Sequence, residues 1–210
     1  MHLGFMGMAG VGKSYWAERF AEAGFTCFHC DDIIASHLRA ELGEALVTVH
    51  DLGDWMGFPH QPDFADKEAK YLSLEKQTLR DIVRILTEND DPDRHFVVDM
   101  TGSAVYVDED LLRELRHHLT IVYFGVSEDA YAHLLQEYIA RPRPVLWQGI
   151  YHSNGDESPE TTLARCYPRL IAHRTRLYET WCDVKLDYHV HRRPGLTVEA
   201  FLEQVKIGTP

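Results

Sequence analysis

The chain has 210 residues, 45% of them hydrophobic and 26% charged, a composition typical of a globular protein, and we expect one domain over residues 1 to 210. Its formal net charge is −12, and no run of lysines and arginines offsets it, so nucleic acid is not an expected partner. The sequence shows neither a secretory signal pattern nor an apolar run of about 18 residues. We therefore expect no membrane partner and a cytoplasmic location.

The stretch GMAGVGKS, residues 7 to 14, fits the pattern GxxxxGK[ST]. It follows an apolar segment, residues 2 to 6, that is typical of a strand, and it leads into a helical pattern that starts at Tyr15. Backbone N–H groups in such a loop surround a phosphate chain at the N-terminus of the helix, where small residues leave room for it. The alternative is a glycine-rich turn with an incidental lysine, which would need neither the strand nor the helix.

This motif predicts ATP and Mg²⁺ as cofactors. Lys13 is expected to reach the β- and γ-phosphates, and the hydroxyl of Ser14 is expected to hold Mg²⁺. The residues predicted to bind the nucleotide in this stretch are Gly7, Gly10, Val11, Gly12, Lys13, Ser14 and Tyr15.

Further along the chain, residues 25 to 30 are typical of a buried strand, and a second helix is predicted to begin where that strand ends, at Asp31. Residues 43 to 66 have no clear periodicity, because glycines and prolines interrupt their aromatic residues. They form either a flap that faces a substrate or a packed surface loop. Residues 66 to 88 have helical periodicity throughout.

The second half continues the alternation of strands and helices. Strands are predicted at residues 95 to 99, 119 to 124 and 184 to 190, and helices at 108 to 118, 127 to 139, 158 to 181 and 197 to 206. Pro168 marks a place where the long helix at 158 to 181 can kink. Prolines and the Asn154-Gly155 pair indicate that residues 141 to 158 form a loop.

Alternating strands and helices predict an α/β fold with a five-stranded parallel sheet and helices on both faces. Ligands bind at the carboxyl ends of the strands in such sheets. Residues 7 to 14, Asp31, Asp99 and Thr101 all follow predicted strands, so we expect them to converge on one crevice. Asp31 either orients or deprotonates an acceptor hydroxyl there, or it caps the next helix. Asp99 either supports Mg²⁺ or only ends its strand in a turn.

Cys27 and Cys30 form a CxxC pair within the predicted strand at residues 25 to 30. No second CxxC or compact histidine pair completes a zinc site in the sequence. A buried strand is the first interpretation of this segment, and a redox pair is the alternative.

These motifs resemble the shikimate kinase family of P-loop small-molecule kinases, and the resemblance is scattered over residues 2 to 205. HCDDII at residues 29 to 34 is similar to the family's DxDxxI motif. RPVL at residues 143 to 146 is similar to the RPLL of its lid, and RTRLYE at residues 174 to 179 is similar to its RxxLYE helix. Residues 100 to 104, MTGSA, stand where the family has a glycine triplet.

The resemblance implies a P-loop kinase fold with a lid over about residues 141 to 158, and it implies roles for several side chains. The implied catalytic residues are Lys13, Asp31 and Arg143, and the implied metal ligands are Ser14 and Asp99. The implied acceptor-binding residues are Asp31, Gly102, Ser103 and Arg174. The implied adenine-clasping turn consists of Arg192, Arg193 and Pro194. Arg174 corresponds to an arginine that holds the acceptor carboxylate. The Pro-rich loop around Arg143 favours a lid arginine, with a solvated surface arginine as the alternative. Without the resemblance, Arg174 could equally belong to the charged, solvated face of its helix.

The sequence departs from the family on the acceptor side. His29 stands at the first aspartate of DxDxxI. The family's GExxFRxxE motif is present as residues 67 to 75, with Leu72 in place of a second arginine that binds the carboxylate. An apolar leucine makes no salt bridge. Residues 43 to 66 resemble an insertion and contain no arginine or lysine.

The sequence therefore predicts an ATP-dependent phosphotransferase that moves the γ-phosphoryl group to a hydroxyl of a small-molecule acceptor other than shikimate. One alternative is a nucleotide-binding module that has lost phosphotransfer and senses a ligand or binds a partner. Another is a nucleoside or nucleotide kinase. Retention of Asp31 and Arg143 favours the enzyme, whereas Leu72 keeps the first alternative open.

Overall fold

The computed structural model describes residues 1 to 42, 48 to 141 and 143 to 208. The strands in this part of the chain are β1 (His2–Met6), β2 (Thr26–His29), β3 (Phe96–Asp99), β4 (Thr120–Phe124) and β5 (Val184–Leu186). They form one sheet in the order β2-β3-β1-β4-β5, and every adjacent pair is parallel. The predicted α/β fold with a five-stranded parallel sheet is confirmed.

The described helices are α1 (Lys13–Glu22), α2 (Cys30–Leu42), α3 (Val49–Met56), α4 (Phe64–Glu88), α5 (Glu109–His118), α6 (Tyr131–Ala140), α7 (Pro159–Trp181), α8 (Tyr188–His191) and α9 (Val198–Gly208), with short 3₁₀ turns at Ala104–Tyr106 and Glu128–Ala130. The connection from β1 to β2 and the connection from β3 to β4 run in opposite directions across the sheet. Right-handed crossovers therefore place α1 and α5 on opposite faces. None of the helices described is both long and apolar enough to cross a membrane.

The sheet register determines where the loops meet. Strand β1 lies between β3 and β4, and its residues Leu3, Phe5 and Met6 are buried. Phe5 of β1 and His29 of β2 both pair with Asp99 of β3. The carboxyl ends of these three strands are therefore level, and the segments that follow them share one edge of the sheet.

Two long helices form walls beside that edge. Helix α4 buries Tyr71, Leu79 and Ile82 on its apolar face, as its periodicity predicts. Helix α7 begins after Ser158, whose Oγ accepts the N–H of Thr161 at 3.2 Å, and it is continuous through Pro168.

Several predicted boundaries are wrong. Strand β5 ends at Leu186 instead of at residue 190, because Asp187 precedes helix α8, whose His191 ring packs on Phe124. Strand β2 is a half-buried edge strand rather than a buried one, and Cys30 already belongs to α2. The helix predicted to begin after Ser127 starts instead as the 3₁₀ turn at 128 to 130, followed by α6.

Part of the segment predicted to lack order is helical. Residues 43 to 47 lie outside the described residues, but α3 occupies 49 to 56. Its capping box is reciprocal: the Thr48 Oγ1 accepts the N–H of Asp51 at 3.3 Å, and Asp51 Oδ2 accepts the N–H of Thr48 at 2.8 Å. Leu52 and Met56 are buried, and α3 contacts α2 and α4. Residues 49 to 56 of the segment therefore form neither a flap nor an irregular loop.

Candidate active site

The phosphate loop joins the end of β1 to the start of α1, as the motif predicts. Gly7 has φ of 148° and Gly12 has φ of 109°, values that side chains rarely adopt. A Cβ on Gly7 would lie 2.8 Å from the carbonyl oxygen of Phe124, so the loop excludes a side chain there. The N–H groups at the start of α1 are thus left facing a bare backbone concavity, which suits an anion.

Lys13 points into this concavity from the first position of α1. Its side chain is 7% exposed, and its Nζ donates to the carbonyl oxygens of Gly7 at 3.0 Å and Met8 at 3.1 Å. Burial lowers the pKa of Lys13, whereas the nearby carboxylates of Asp99 and Asp31 act in the opposite direction. Replacing these neutral carbonyl partners with a phosphate oxygen would relieve the cost of the buried charge.

A cavity of about 340 Å³ opens beside Lys13, within the usual range of about 300–1,000 Å³ for small-molecule sites. Asp31, Asp99 and Arg143 line it together with Lys13. The other residues of the lining are Ala9, Gly10, Gly12, Ser14, Tyr15, Gly102, His133, Leu134, Glu137, Tyr138, Pro144, Val145, Tyr167 and Arg192. The structure thus brings the loop, both aspartates and the lid arginine to one crevice.

Asp31 is the second residue of α2, which starts at Cys30, so Asp31 does not occupy the capping position of that helix. Its Oδ1 accepts a hydrogen bond of 2.6 Å from the hydroxyl of Tyr71 on α4. Burial raises the pKa of Asp31, and the hydrogen bond from Tyr71 opposes that shift. A carboxylate that faces the cavity and has a raised pKa is suited to interact with a hydroxyl proton.

Asp99 ends β3 and is almost fully buried. Its Oδ2 lies 3.3 Å from Nδ1 of His29, which ends the adjacent strand β2. The hydrogen bond with Asp99 raises the pKa of His29. His29 therefore acts as a partner of Asp99 rather than as a second acidic group.

ATP and Mg²⁺ fit these surroundings. In the described part of the chain, no three His, Cys, Asp or Glu residues lie close enough to form a metal site on their own. Mg²⁺ bound with a nucleotide needs few protein ligands, because phosphate oxygens and water complete its octahedron. The hydroxyl of Ser14 and the carboxylate of Asp99 both line the cavity and suit such a site.

A buried carboxyl lies behind the cavity wall. Glu75 of α4 is 0% exposed and accepts hydrogen bonds from the hydroxyls of Thr101 and, at 2.8 Å, of Ser103. Burial raises the pKa of Glu75 to about 8, so this carboxyl is largely neutral near pH 7. Ser103, one of the predicted acceptor-binding residues, is thus tied to Glu75 and does not line the cavity.

Arg174 has protein partners as well. Its guanidinium is 1% exposed, donates from Nη2 to the carbonyl oxygen of Leu146 at 2.5 Å and from Nε to the hydroxyl of Tyr106 at 3.3 Å. It does not line the cavity, although Gly102 does. A Cβ on Gly102 would lie 3.0 Å from Nη1 of Arg174, so the small residue permits this close approach.

The predicted lid is folded onto the site. Trp147 is 1% exposed and packs against Tyr138 and Tyr167. Glu68 of α4 accepts the backbone N–H groups of Trp147 and Gln148, the latter at 3.0 Å. Two successive backbone N–H groups of the lid thus surround one carboxylate in a small anion-binding concavity. The side chain of Glu68 therefore holds the backbone of the lid.

The turn after α8 lies on the other side of the loop. Nη2 of Arg192 donates to the carbonyl oxygen of Gly10 at 2.9 Å. Arg193 and Pro194 line a second cavity of about 170 Å³, shared with Trp16 of α1. The structure therefore places the predicted adenine-clasping turn beside the phosphate loop.

The CxxC pair lies near this site, and burial affects both of its thiols. All four cysteines of the chain are free thiols. Burial raises the pKa of Cys27 to about 11 and raises the pKa of Cys30 well above its usual value. Because the thiolate is the reactive form, these values favour packing over a redox role.

Sequence reasoning missed the contributions of α6 and α7 to the cavity and the roles of Glu68 and Glu75. His133, Tyr138 and Tyr167 line the cavity, yet they lie in ordinary helical patterns without a motif. The signal for Glu75 was its position on the apolar face of α4, where a carboxyl is unusual.

No protein-family model and no curated protein matches the chain. Among solved structures, shikimate kinase from Bacteroides thetaiotaomicron matches with a TM-score of 0.58 and 16% identity over 99% of this chain and 95% of that one. Shikimate kinase from Acinetobacter baumannii, solved in complex with shikimate, matches with a TM-score of 0.56 and 15% identity over 98% of this chain and 90% of that one. The enzyme from Aquifex aeolicus matches with a TM-score of 0.56 and 14% identity over 98% and 96%. The chain therefore has the P-loop kinase fold seen in the shikimate kinases.

Proposed function

We propose that the protein is an ATP-dependent phosphotransferase that moves the γ-phosphoryl group to a hydroxyl of a small-molecule acceptor. The observation that carries this proposal is that Lys13, Asp31 and Arg143 line one cavity beside a bare phosphate loop. A phosphoryl acceptor must lie between the γ-phosphate and a carboxylate that orients its hydroxyl. These three side chains supply a cation on the phosphate side and a carboxylate on the acceptor side.

The chain's own residues have separate tasks in this proposal. The backbone of Gly7, Gly10, Val11 and Gly12, together with Ser14 and Tyr15, holds the nucleotide, while Lys13 neutralises charge on its phosphates. Arg143 approaches from the lid, which excludes water from the transferred group. Arg192, Arg193 and Pro194 hold the base. Bound Mg²⁺, held by Ser14 and Asp99, would supply further charge neutralisation at the β- and γ-phosphates.

Asp31 has the central task on the acceptor side. The acceptor oxygen bonds to the γ-phosphorus, ADP leaves as the bond to the bridging oxygen breaks, and the hydroxyl proton passes to Asp31. Gly102 lines the same cavity as Asp31 and, having no side chain, leaves room for the acceptor. We further propose that Arg174 and Ser103 do not bind the acceptor directly, because their polar atoms already have protein partners. Arg174 holds the lid through the carbonyl oxygen of Leu146, and Ser103 holds Glu75.

The acceptor in this proposal is a small hydroxyl compound other than shikimate. Position 72 is a leucine where the motif that residues 67 to 75 resemble has an arginine, and Arg174 donates to the carbonyl oxygen of Leu146. Neither side chain offers a free cation to a ring carboxylate.

The proposal includes a cytoplasmic location and no nucleic-acid or membrane partner.

The test is a screen of ADP formation with Mg²⁺·ATP against hydroxy acids, sugars, polyols and nucleosides. The proposal predicts a strong increase over basal hydrolysis with a non-nucleoside hydroxyl compound. Stimulation by nucleosides or nucleotides alone would identify a nucleoside or nucleotide kinase. Tight ATP binding without stimulation by any acceptor would instead support a nucleotide-binding sensor.

A further inference from the structure

The hydroxyl of Tyr71 is a polar group on the buried face of α4, which is mostly apolar but also carries Glu75. Tyr71 is 0% exposed, and its ring belongs to the buried core. Its hydroxyl donates to Oδ1 of Asp31 at 2.6 Å, across the contact between α4 and α2. The motif that this helix resembles has phenylalanine at this position, so the hydroxyl is a feature of this chain.

This contact leaves the two oxygens of Asp31 in different surroundings. Oδ1 accepts from Tyr71, which does not line the cavity, whereas the Asp31 side chain does line it. The terminal torsion of an aspartate is broad, and a carboxylate held by its backbone alone samples a range of orientations. A short hydrogen bond to an ionised oxygen is among the stronger protein contacts, so it selects one orientation.

We propose that Tyr71 is a positioning residue, which fixes Asp31 with Oδ2 directed at the acceptor hydroxyl. This inference rests on the proposed function, because it assumes that Asp31 receives the hydroxyl proton during transfer. Tyr71 does not touch the acceptor. It acts by holding Oδ1, so that the free oxygen of Asp31 stays aligned with the proton it accepts.

A purely structural role is the competing interpretation, and the chain offers a matched control for it. Tyr123 of β4 is also almost fully buried, and its hydroxyl lies 3.2 Å from Oγ1 of Thr175. Tyr123→Phe removes a buried hydroxyl, as Tyr71→Phe does, but it does so away from Asp31. Both variants keep the ring and its packing.

The experiment compares steady-state kinetics of both variants with the acceptor found by the screen. We expect Tyr71→Phe to lower kcat about 10- to 100-fold, the loss expected for one hydrogen bond to a charged group. The KM for ATP stays near the wild-type value, because the phosphate loop is unchanged. Tyr123→Phe keeps the wild-type kcat.

A double-mutant cycle then asks whether Tyr71 acts through Asp31. In an Asp31→Asn background, Tyr71→Phe should cause little further loss, because the carboxylate that it positions is gone. An equal loss in both backgrounds, or a wild-type kcat for Tyr71→Phe, would overturn the inference. Wild-type protein without transfer to any acceptor would instead overturn the proposed function, and this inference with it.

If Tyr71→Phe fails to fold, replacement of Tyr71 with 3-fluorotyrosine supplies a second variant. It keeps the hydroxyl donor and should therefore keep a kcat near that of the wild type. A loss as large as that expected for removing the hydroxyl would contradict a positioning role.

Discussion

Nδ1 of His29 lies 3.3 Å from Oδ2 of Asp99, at the adjoining ends of strands β2 and β3. The family resemblance would place an aspartate at position 29, and two carboxylates there would repel each other until a cation bound. Here an imidazole already pairs with Asp99. Asp99 is therefore the main candidate for an acidic metal ligand on this side of the cavity.

Replacing Asp99 should weaken the response to Mg²⁺. Asp99→Asn removes the charge of the proposed ligand, so we expect the Mg²⁺ concentration for half-maximal activity to rise about tenfold or more, as for the loss of a contact to a charged group. His29→Asn keeps a polar side chain next to Asp99 and is the matched control, with a near wild-type Mg²⁺ requirement. Titrating Mg²⁺ at saturating ATP measures both. An unchanged requirement in Asp99→Asn would exclude Asp99 as a ligand.

Glu75 should make the stability of the protein depend on pH. Between pH 4.5, the usual pKa of a glutamate, and about 8, the folded protein keeps a proton on Glu75 that the unfolded chain has released. The folded state binds more protons in this range, so this carboxyl lowers the free energy of unfolding as pH rises from 4.5 to about 8, and its effect is constant above that.

Glu75→Gln mimics the protonated side chain and should remove this dependence. We expect its unfolding free energy, relative to wild type, to increase with pH and to reach a gain of roughly 3–5 kcal/mol near pH 9. Glu88→Gln, at the exposed end of the same helix, serves as the control. Urea denaturation at pH 5, 7 and 9 measures the difference. A difference that does not change with pH would contradict the raised pKa.

Glu68 should control the opening of the lid. Glu68→Ala removes the acceptor for the N–H groups of Trp147 and Gln148, so hydrogen exchange of these two amides should be about tenfold faster or more. Asp66→Ala changes an exposed carboxylate of the same helix and should leave their exchange unchanged. Equal exchange in wild type and Glu68→Ala would show that Trp147 packing alone holds the lid.

Shikimate should be a poor substrate. Loss of one charged partner from a buried carboxylate costs on the order of 2–5 kcal/mol, which is about thirty- to several-thousand-fold in affinity. Leu72 supplies no charge, and Arg174 is engaged with the lid carbonyl of Leu146. A coupled assay that finds turnover of about 10 s⁻¹ or more with a KM below about a millimolar, ordinary values for an enzyme on its own substrate, would contradict this.

The parts of the site that sequence could predict are those set by local pattern. GxxxxGKS fixes a loop between a strand and a helix by itself, and the ends of parallel strands meet at one edge, so Asp31 and Asp99 were expected together. Pairs such as Tyr71 with Asp31 depend on how α2 packs against α4. Tyr71 and Asp31 are 40 residues apart in the chain, and no periodicity in the sequence predicts a contact between them.

Short elements were the least predictable for a related reason. Helix α3 depends on a capping box with aspartate in place of the usual glutamate, and α8 on the packing of His191 against Phe124. Tertiary contacts decide such segments more than their own propensities do. The prediction of a strand up to residue 190 was wrong because the residues after Leu186 that alternate in polarity include those of helix α8.

The most direct measurement follows the γ-phosphoryl group itself. Mass spectrometry of the acceptor after incubation with Mg²⁺·ATP should show the addition of one phosphoryl group, with ADP formed in equal amount. Lys13→Ala should reduce this transfer about 100-fold or more, because the proposal assigns to Lys13 the stabilisation of charge on the transferred group. Lys206 is exposed on α9, and Lys206→Ala should leave the transfer unchanged. Undiminished transfer by Lys13→Ala, or ATP binding without any phosphorylated acceptor, would contradict the proposed phosphotransferase.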